Sequence, residues 1–245
     1  MSEIQRIDKL LSNSGYGTRK EVKQMLKQGH VKVDNSVVKD PSTHVDPLRS
    51  IIEIHGQALK YRKYLYVMLN KPAGVISATY DKRLKTVADI LPEKYKSFGL
   101  FPAGRLDIDT EGLLLMTNDG QLAHDMLAPK KHVPKKYFAR INNGIEERDI
   151  EVFREGVILD DGYKTLPAKL RVIDDKIPDE VEIVIYEGKY HQIKRMFEAV
   201  GKKVLYLKRI QMGSLKLDER LKTGECRELT EDEVQALKTA DYNEI

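Results

Sequence analysis

Apolar positions in the first 46 residues recur at helical spacing and then alternate. Ile7, Leu10 and Leu11 fall on one helix face, and Gly15 to Gly17 interrupts it. Thr18 and Glu21 have the spacing of a capping box. The hydroxyl and the carboxylate can each accept from an otherwise unpaired N–H of the first turn. The helix that follows carries Val22, Met25 and Leu26 inward, and Gly29 stops it. Val31-Lys32-Val33 alternates as a strand, Asp34-Asn35 turns, and Val37-Val38 returns. Residues 40–63 hold Pro41, Pro47 and Gly56 with one strand-like run, Ile51 to Ile54, and read as the end of this module and a linker.

A larger domain opens at Tyr64. Its apolar runs are short and β-rich: Tyr64 to Leu69, Gly112 to Thr117, Lys136 to Ile141, Val181 to Tyr186 and Val204 to Ile210. Helical patterns lie between them without strict strand–helix alternation. Ile193, Met196, Phe197 and Val200 follow i, i+3, i+4, i+7, the stripe of an amphipathic helix. Thr230 and Glu233 open a last short helix. The pattern predicts an α+β fold: a small module over residues 1–60, linker included, then residues 61–240 built on a mixed, mainly antiparallel sheet flanked by helices.

Composition narrows the class. The 245 residues suit two unequal domains at about 150 residues per domain. With 41% apolar and 33% charged residues the chain can bury a core. No run approaches the roughly 18 apolar residues of a membrane span, and Met1 to Arg6 lacks the apolar core of a secretory signal. A lone cysteine, Cys226, excludes a disulfide framework and a multi-cysteine zinc site. A cytoplasmic protein is expected.

Net charge is only +4, from 42 basic and 38 acidic residues. It is unevenly spread: residues 128–140 and 187–209 each carry +5, leaving −6 elsewhere. On the second helix Arg19, Lys20, Lys23 and Lys27 form an exposed row, with Lys9, Lys32 and Lys39 on neighbouring elements. For one helix a solubilising face is the ordinary reading. Basic residues on every piece of a small module also suit a phosphate backbone.

The densest chemistry is Gly104-Arg-Leu-Asp-Ile-Asp-Thr-Glu-Gly112. Asp107, Asp109, Glu111 and Gly112 mimic the start of a calcium loop, but Asn118 stands where the bidentate Glu belongs and Leu113 to Met116 resembles a buried strand. No metal is expected. A glycosidase-like carboxylate pair, a solvated turn and a single carboxylate nucleophile remain open. A desolvated nucleophilic carboxylate needs a cation, and Lys194 and Arg195 are candidates. Helix geometry puts Lys194 at the flank of the apolar stripe and Arg195 nearly opposite it. Tyr137 begins a strand beneath the basic loop. It reads as a core aromatic or as a ring on which a base stacks.

These segments resemble two known families. Arg6 to Leu11, Gly17-Thr-Arg-Lys-Glu21 and Gly29-His-Val-Lys-Val-Asp34 resemble the S4 RNA-binding domain. Gly104 to Gly120, Lys136-Tyr137, His191 to Phe197 and Tyr66-Val-Met-Leu-Asn-Lys-Pro72 resemble the pseudouridine synthases of the RsuA/RluB branch. The resemblance implies that Asp107 is the catalytic aspartate, that Tyr137 stacks on the flipped base and handles a proton, and that Lys194 pairs with the aspartate. It implies RNA contacts at Lys9, Arg19, Lys20, Lys23, Lys32, Arg105, Lys135, Lys136 and Arg195, with no cofactor. The implied partner is ribosomal RNA, free or in a partly assembled subunit, met by a monomer. Gly156 to Leu170 and Leu127-Ala-Pro129 look like the small-subunit type acting on uridine 516 of 16S RNA. The 23S-directed types share the same catalytic motifs. An inactive S4-bearing assembly protein is the alternative of another class, and the intact Asp107, Tyr137 and Lys194 argue against it.

Overall fold

A computed structural model of the chain describes residues 4–174 and 176–242. The chain divides into two units: Met1–Leu65 with Leu91–Leu100, and Tyr66–Ile90 with Phe101–Ile245.

The first unit runs β1 (Gln5–Arg6), α1 (Ile7–Asn13), α2 (Arg19–Lys27), β2 (Val31–Val33), β3 (Ser36–Val37), β4 (His44–Val45), β5 (Ile52–Ile54) and β6 (Gln57–Ala58). The capping box forms as its residues require: Glu21 N donates to Thr18 Oγ1 at 3.3 Å, and Thr18 N donates to Glu21 Oε2 at 2.7 Å. Asp34 and Asn35 both take positive φ, the backbone a two-residue hairpin turn demands. Ile7, Leu10, Leu11, Val22, Leu26 and Val31 are fully buried, and Val45, Ile52 and Ile54 complete their cluster. Each such burial is worth about 2 kcal/mol. Residues 40–63, expected as the module's end and a linker, hold three strands: β4 pairs β1, β5 pairs β2 and β6 pairs β5. Only Ile51 to Ile54 carried a strand signal. The other two strands are two residues long, too short for periodicity to show. A one-turn helix, α3 (Glu93–Lys96), lies in the 91–100 segment.

The second unit contains β7 (Tyr66–Lys71), β8 (Phe101–Pro102), β9 (Glu111–Thr117), α4 (Gly120–Leu127), β10 (Lys135–Ile141), α5 (Glu147–Glu155), β11 (Lys169–Val172), β12 (Glu180–Ile185), α6 (Gln192–Ala199), β13 (Val204–Met212), β14 (Leu215–Lys216), β15 (Cys226–Glu228) and α7 (Glu231–Thr239). The main path of its sheet runs β11-β12-β10-β13-β9-β7-β15, with β14 on β13 and β8 on β9. Every pairing is antiparallel except β9 with β13. This is the mixed, mainly antiparallel α+β architecture that the apolar runs predict. All six residues of β7 are buried, as a strand flanked on both edges requires. No helix among the described residues is long and apolar enough to cross a membrane.

The parallel junction fixes the site. It sets Lys208 beside Glu111 and Arg209 beside Gly112. The approach is too close for a side chain: a Cβ on Gly112, at φ +100°, would lie 2.2 Å from the Arg209 carbonyl oxygen. Only glycine fits, and through it the acidic loop before β9 meets the inner strand β13.

Candidate active site

The loop Gly104–Thr110 hangs at the start of β9, and its backbone is tied from below. Lys71, at the end of β7, is 0% exposed. Its ammonium donates to the carbonyls of Pro72 at 2.9 Å, Asp107 at 3.1 Å and Thr110 at 2.9 Å. Burial pushes its pKa down to about 8, against the pull of Asp109, Asp107 and Glu111. Ser77 adds two more ties, donating to Leu106 O at 2.9 Å and accepting from Leu106 N at 3.0 Å. The acids therefore stand on a fixed backbone.

Asp107 faces a cleft of about 670 Å³, with its side chain 29% exposed. Two groups from the α6 end approach its oxygens. Lys194 Nζ lies 3.9 Å from Oδ2 and His191 Nε2 lies 3.8 Å from Oδ1. His191 takes a left-handed conformation just before α6 and stacks on Tyr190, ring centres 3.8 Å apart. The hydrogen bonds of Lys194 go to Asp109, at 2.6 and 2.7 Å. Burial alone raises the Asp109 pKa, and the lysine outweighs it to hold the carboxyl below its ordinary value. The helix-flank placement of Lys194 brings it to the loop, but the close ion pair is with Asp109. Asp107 takes the looser contact.

Tyr137 lies on the cleft side of β10. That strand buries Lys135, Tyr137, Ala139 and Ile141 on one face and turns Lys136, Phe138 and Arg140 to the other. The alternation separates two of the expected RNA contacts. Lys135 lines the cleft but is 7% exposed, and its ammonium donates to Val133 O at 2.8 Å. Burial pushes its pKa down to about 8, with Arg209 adding to the fall. Lys136 leaves the cleft altogether and faces Glu182 at 3.5 Å on the reverse of the sheet. Arg195, also expected to contact RNA, is paired within the fold. The loop after α5 supplies Asp160 and Asp161, which bind its guanidinium at 2.5 and 2.7 Å and leave it 16% exposed. Arg105 is exposed on the cleft wall. In the first unit Lys9, Arg19, Lys20, Lys23 and Lys32 are all exposed.

Three residues in or beneath the cleft carry little signal in the sequence. Lys71 sits inside the quoted Tyr66–Pro72 motif, where a lysine ending a buried apolar strand was the available signal. Arg209 had only its place in a β-rich run. Glu187 is buried beneath the cleft and accepts from Tyr163 Oη, Leu166 N and Gln192 Nε2 at 2.7, 2.9 and 2.9 Å. Among the described residues no group of three or more His, Cys, Asp or Glu side chains could hold a metal ion.

Residues 65–199 match the family described as RNA pseudouridylate synthase, and residues 5–47 match the S4 domain. The chain belongs to the RNA pseudouridylate synthase family. Members of this family are isomerases. The chain is 52% identical over 95% of its length to an uncharacterized RNA pseudouridine synthase, YtzG, of Bacillus subtilis, 98% of which is covered. It is 41% identical to ribosomal small subunit pseudouridine synthase A of Vibrio cholerae, covering 95% of this chain and 99% of that one. It is also 36% identical to ribosomal large subunit pseudouridine synthase B of Bacillus subtilis, over 98% of each. A crystal structure of a pseudouridylate synthase superposes with a TM-score of 0.67 at 35% identity, covering 95% of this synthase and 99% of that chain.

Proposed function

We propose that this synthase converts one uridine of 16S ribosomal RNA, uridine 516, to pseudouridine, with Asp107 as the nucleophile. The observation that carries the proposal is the setting of Asp107: a carboxylate at a nucleotide-sized cleft, with Lys194 and His191 each within 4 Å of an oxygen. The Lys194 ammonium stands as a countercharge beside the carboxylate that nucleophilic attack needs.

The target uridine leaves its stack to enter the cleft. Tyr137 supplies the ring against which the base lies and a phenol that can exchange a proton. Asp107 attacks the ribose C1′ or the uracil C6, the C1′–N1 bond breaks, and the base turns. It rejoins through C5, which gives up its proton while N1 takes one up. The exposed cations of the S4 unit hold the phosphates, so affinity falls with salt. The small-subunit assignment rests on residues 156–170, on Leu127-Ala128-Pro129, and on the higher identity to the small-subunit relative than to the large-subunit one. We further propose a cytoplasmic monomer acting on 16S RNA, free or in a partly assembled subunit.

Carbodiimide or mass-shift mapping of rRNA from a strain lacking the gene tests this. A pseudouridine missing from 16S RNA and restored by the wild-type gene is expected. Loss from 23S RNA instead would move the substrate to the large subunit. No change in either RNA would contradict the rRNA assignment.

A further inference from the structure

The inner wall of the cleft holds a cation that the fold does not neutralise. Arg209 is 1% exposed and lines the cleft. Its Nε donates to Leu113 O at 2.8 Å, but its Nη2 is buried with no hydrogen-bond partner. Thr110 lines the same cleft, and its Oγ1 is buried without a partner as well. Lys135 completes the group. Among the described residues neither Arg209 nor Lys135 has a carboxylate within ion-pair distance. Glu187 is close enough to raise the proton affinity of Lys135, but its oxygens already accept from Tyr163, Leu166 and Gln192. A buried charge with an idle donor destabilises a fold unless something arrives to accept from it.

Position says what arrives. Arg209 is the cross-strand partner of Tyr137, so its guanidinium belongs to the strip of sheet under the proposed base position. Phosphates would meet the exposed Arg105 and Lys189 instead. We propose that Arg209, with Thr110 and Lys135, forms the subsite for the oxygens of the target uracil and stabilises the negative charge the base acquires during isomerisation. This rests on the isomerase reading above and deepens it. In attack at C1′, the Asp107 carboxylate forms an ester bond as the C1′–N1 bond breaks. The electron pair of that bond leaves on uracil, spread over N1, O2 and O4. The anion turns, C5 bonds to C1′ as the ester bond breaks and the carboxylate is restored, and C5 loses its proton while N1 takes one up, so no proton is gained or lost overall. Attack at C6 likewise puts an electron pair onto the C5–O4 enolate. A cation already desolvated and fixed in the wall stabilises such charge without reorganising.

The test uses the full-length protein, saturating over an RNA fragment that carries the target site as uridine or as 5-fluorouridine. Fluorine withdraws electron density and makes the base anion more stable, so it substitutes in part for the missing cation. Single-turnover consumption of the N1-linked nucleotide is followed by mass spectrometry for wild type, Arg209→Met and Lys135→Met, with RNA affinity measured in parallel. Arg209→Met should slow consumption of uridine by about 100-fold. Its effect on fluorouridine should be about ten-fold smaller, and RNA affinity should stay within about three-fold. Lys135→Met should show the same differential at smaller size. Equal losses on the two bases would mark a structural role and overturn the proposal. A weaker affinity with an unchanged saturated rate would mark a phosphate contact and also overturn it. Should Arg209→Met fail to fold, Lys135→Met alone must show the differential, and its absence overturns the subsite. A wild type inert on uridine would remove the isomerase reading and this subsite with it.

Discussion

On α2 the side chains of Arg19, Lys20, Lys23 and Lys27 stand in solvent. In and beneath the cleft, Lys71, Lys135 and Arg209 are buried. The two sets share a chemistry and differ in what water does for them. An exposed ammonium keeps its hydration and can follow a phosphate backbone at little cost, which makes its contribution salt-dependent. A buried one has lost that hydration, and each of the three answers the loss differently. Lys71 spends it on the carbonyls of the acidic loop, Lys135 has a single carbonyl and a depressed pKa, and Arg209 retains an idle donor. Residue type alone therefore does not set the environment of a cation in this chain; burial and register decide.

The comparison breaks first, and hardest, at Lys71. Lys71→Met strips the shared donor from the carbonyls of Pro72, Asp107 and Thr110. It should cost about 3 kcal/mol of stability and abolish turnover, as read by denaturant unfolding and by assay. Unchanged stability would show that the loop does not depend on the buried charge.

Lys194→Met should lower turnover by about 100-fold at neutral pH. The Asp109 carboxyl, held low by that lysine, should titrate nearer its ordinary range, which carboxyl-labelled NMR can follow. A normal rate in this variant would leave Asp107 without need of a neighbouring cation.

Lys135→Met should uncouple stability from function. Removing a buried, poorly compensated charge should stabilise the protein at pH 7 by about 1 kcal/mol while turnover falls. The pH dependence follows from the depressed pKa. The folded chain releases this proton near pH 8, whereas the unfolded chain keeps it to about 10.5. Between those values the unfolded state binds more protons, so wild-type stability gains from this group as pH rises. The advantage of the Met variant should shrink across that window. An advantage that stayed constant with pH would mean the lysine is not charged and buried at pH 7.

In the S4 unit the effect should lie in binding alone. The pair Lys20→Ala and Lys23→Ala should weaken RNA affinity and lower the salt slope by about 1.5, with the saturated rate unchanged. Arg195→Met should have the smallest effect. Its guanidinium is committed to Asp160 and Asp161, so the salt dependence of binding should stay as in wild type. A flatter slope would restore Arg195 to the RNA contacts.

What was legible in the sequence had a period or a side-chain signal behind it. The helices of the first unit announced themselves through Thr18, Glu21 and Gly29. All five expected strands of the second unit are present, because each carries a run or an alternation of apolar residues. β11 and β15 escaped: β15 is three residues with no apolar run, and β11 alternates Leu170 and Val172 with charge. The acidic loop and Lys194 came from motif and helix phase. The partners of Arg195 did not, because Asp160 and Asp161 come from a loop some 35 residues away in sequence and no local period connects them. Lys135 and Lys136 look alike in sequence. A strand's two-residue period sends one into the cleft and the other behind the sheet, and the register that decides which is set by β12 and β13.

The central claim is that a single carboxylate, Asp107, does the chemistry in this cleft. Asp107→Asn, Asp109→Asn and wild type should be compared on the same rRNA, with binding and pseudouridine formation measured side by side. Asp107→Asn should bind within about three-fold of wild type, because phosphate contacts carry the affinity, and should form no pseudouridine. Asp109→Asn should remain active at a reduced rate, since Lys194 can still reach Asp107 from 3.9 Å. Pseudouridine formed at the wild-type rate by Asp107→Asn would contradict the claim outright.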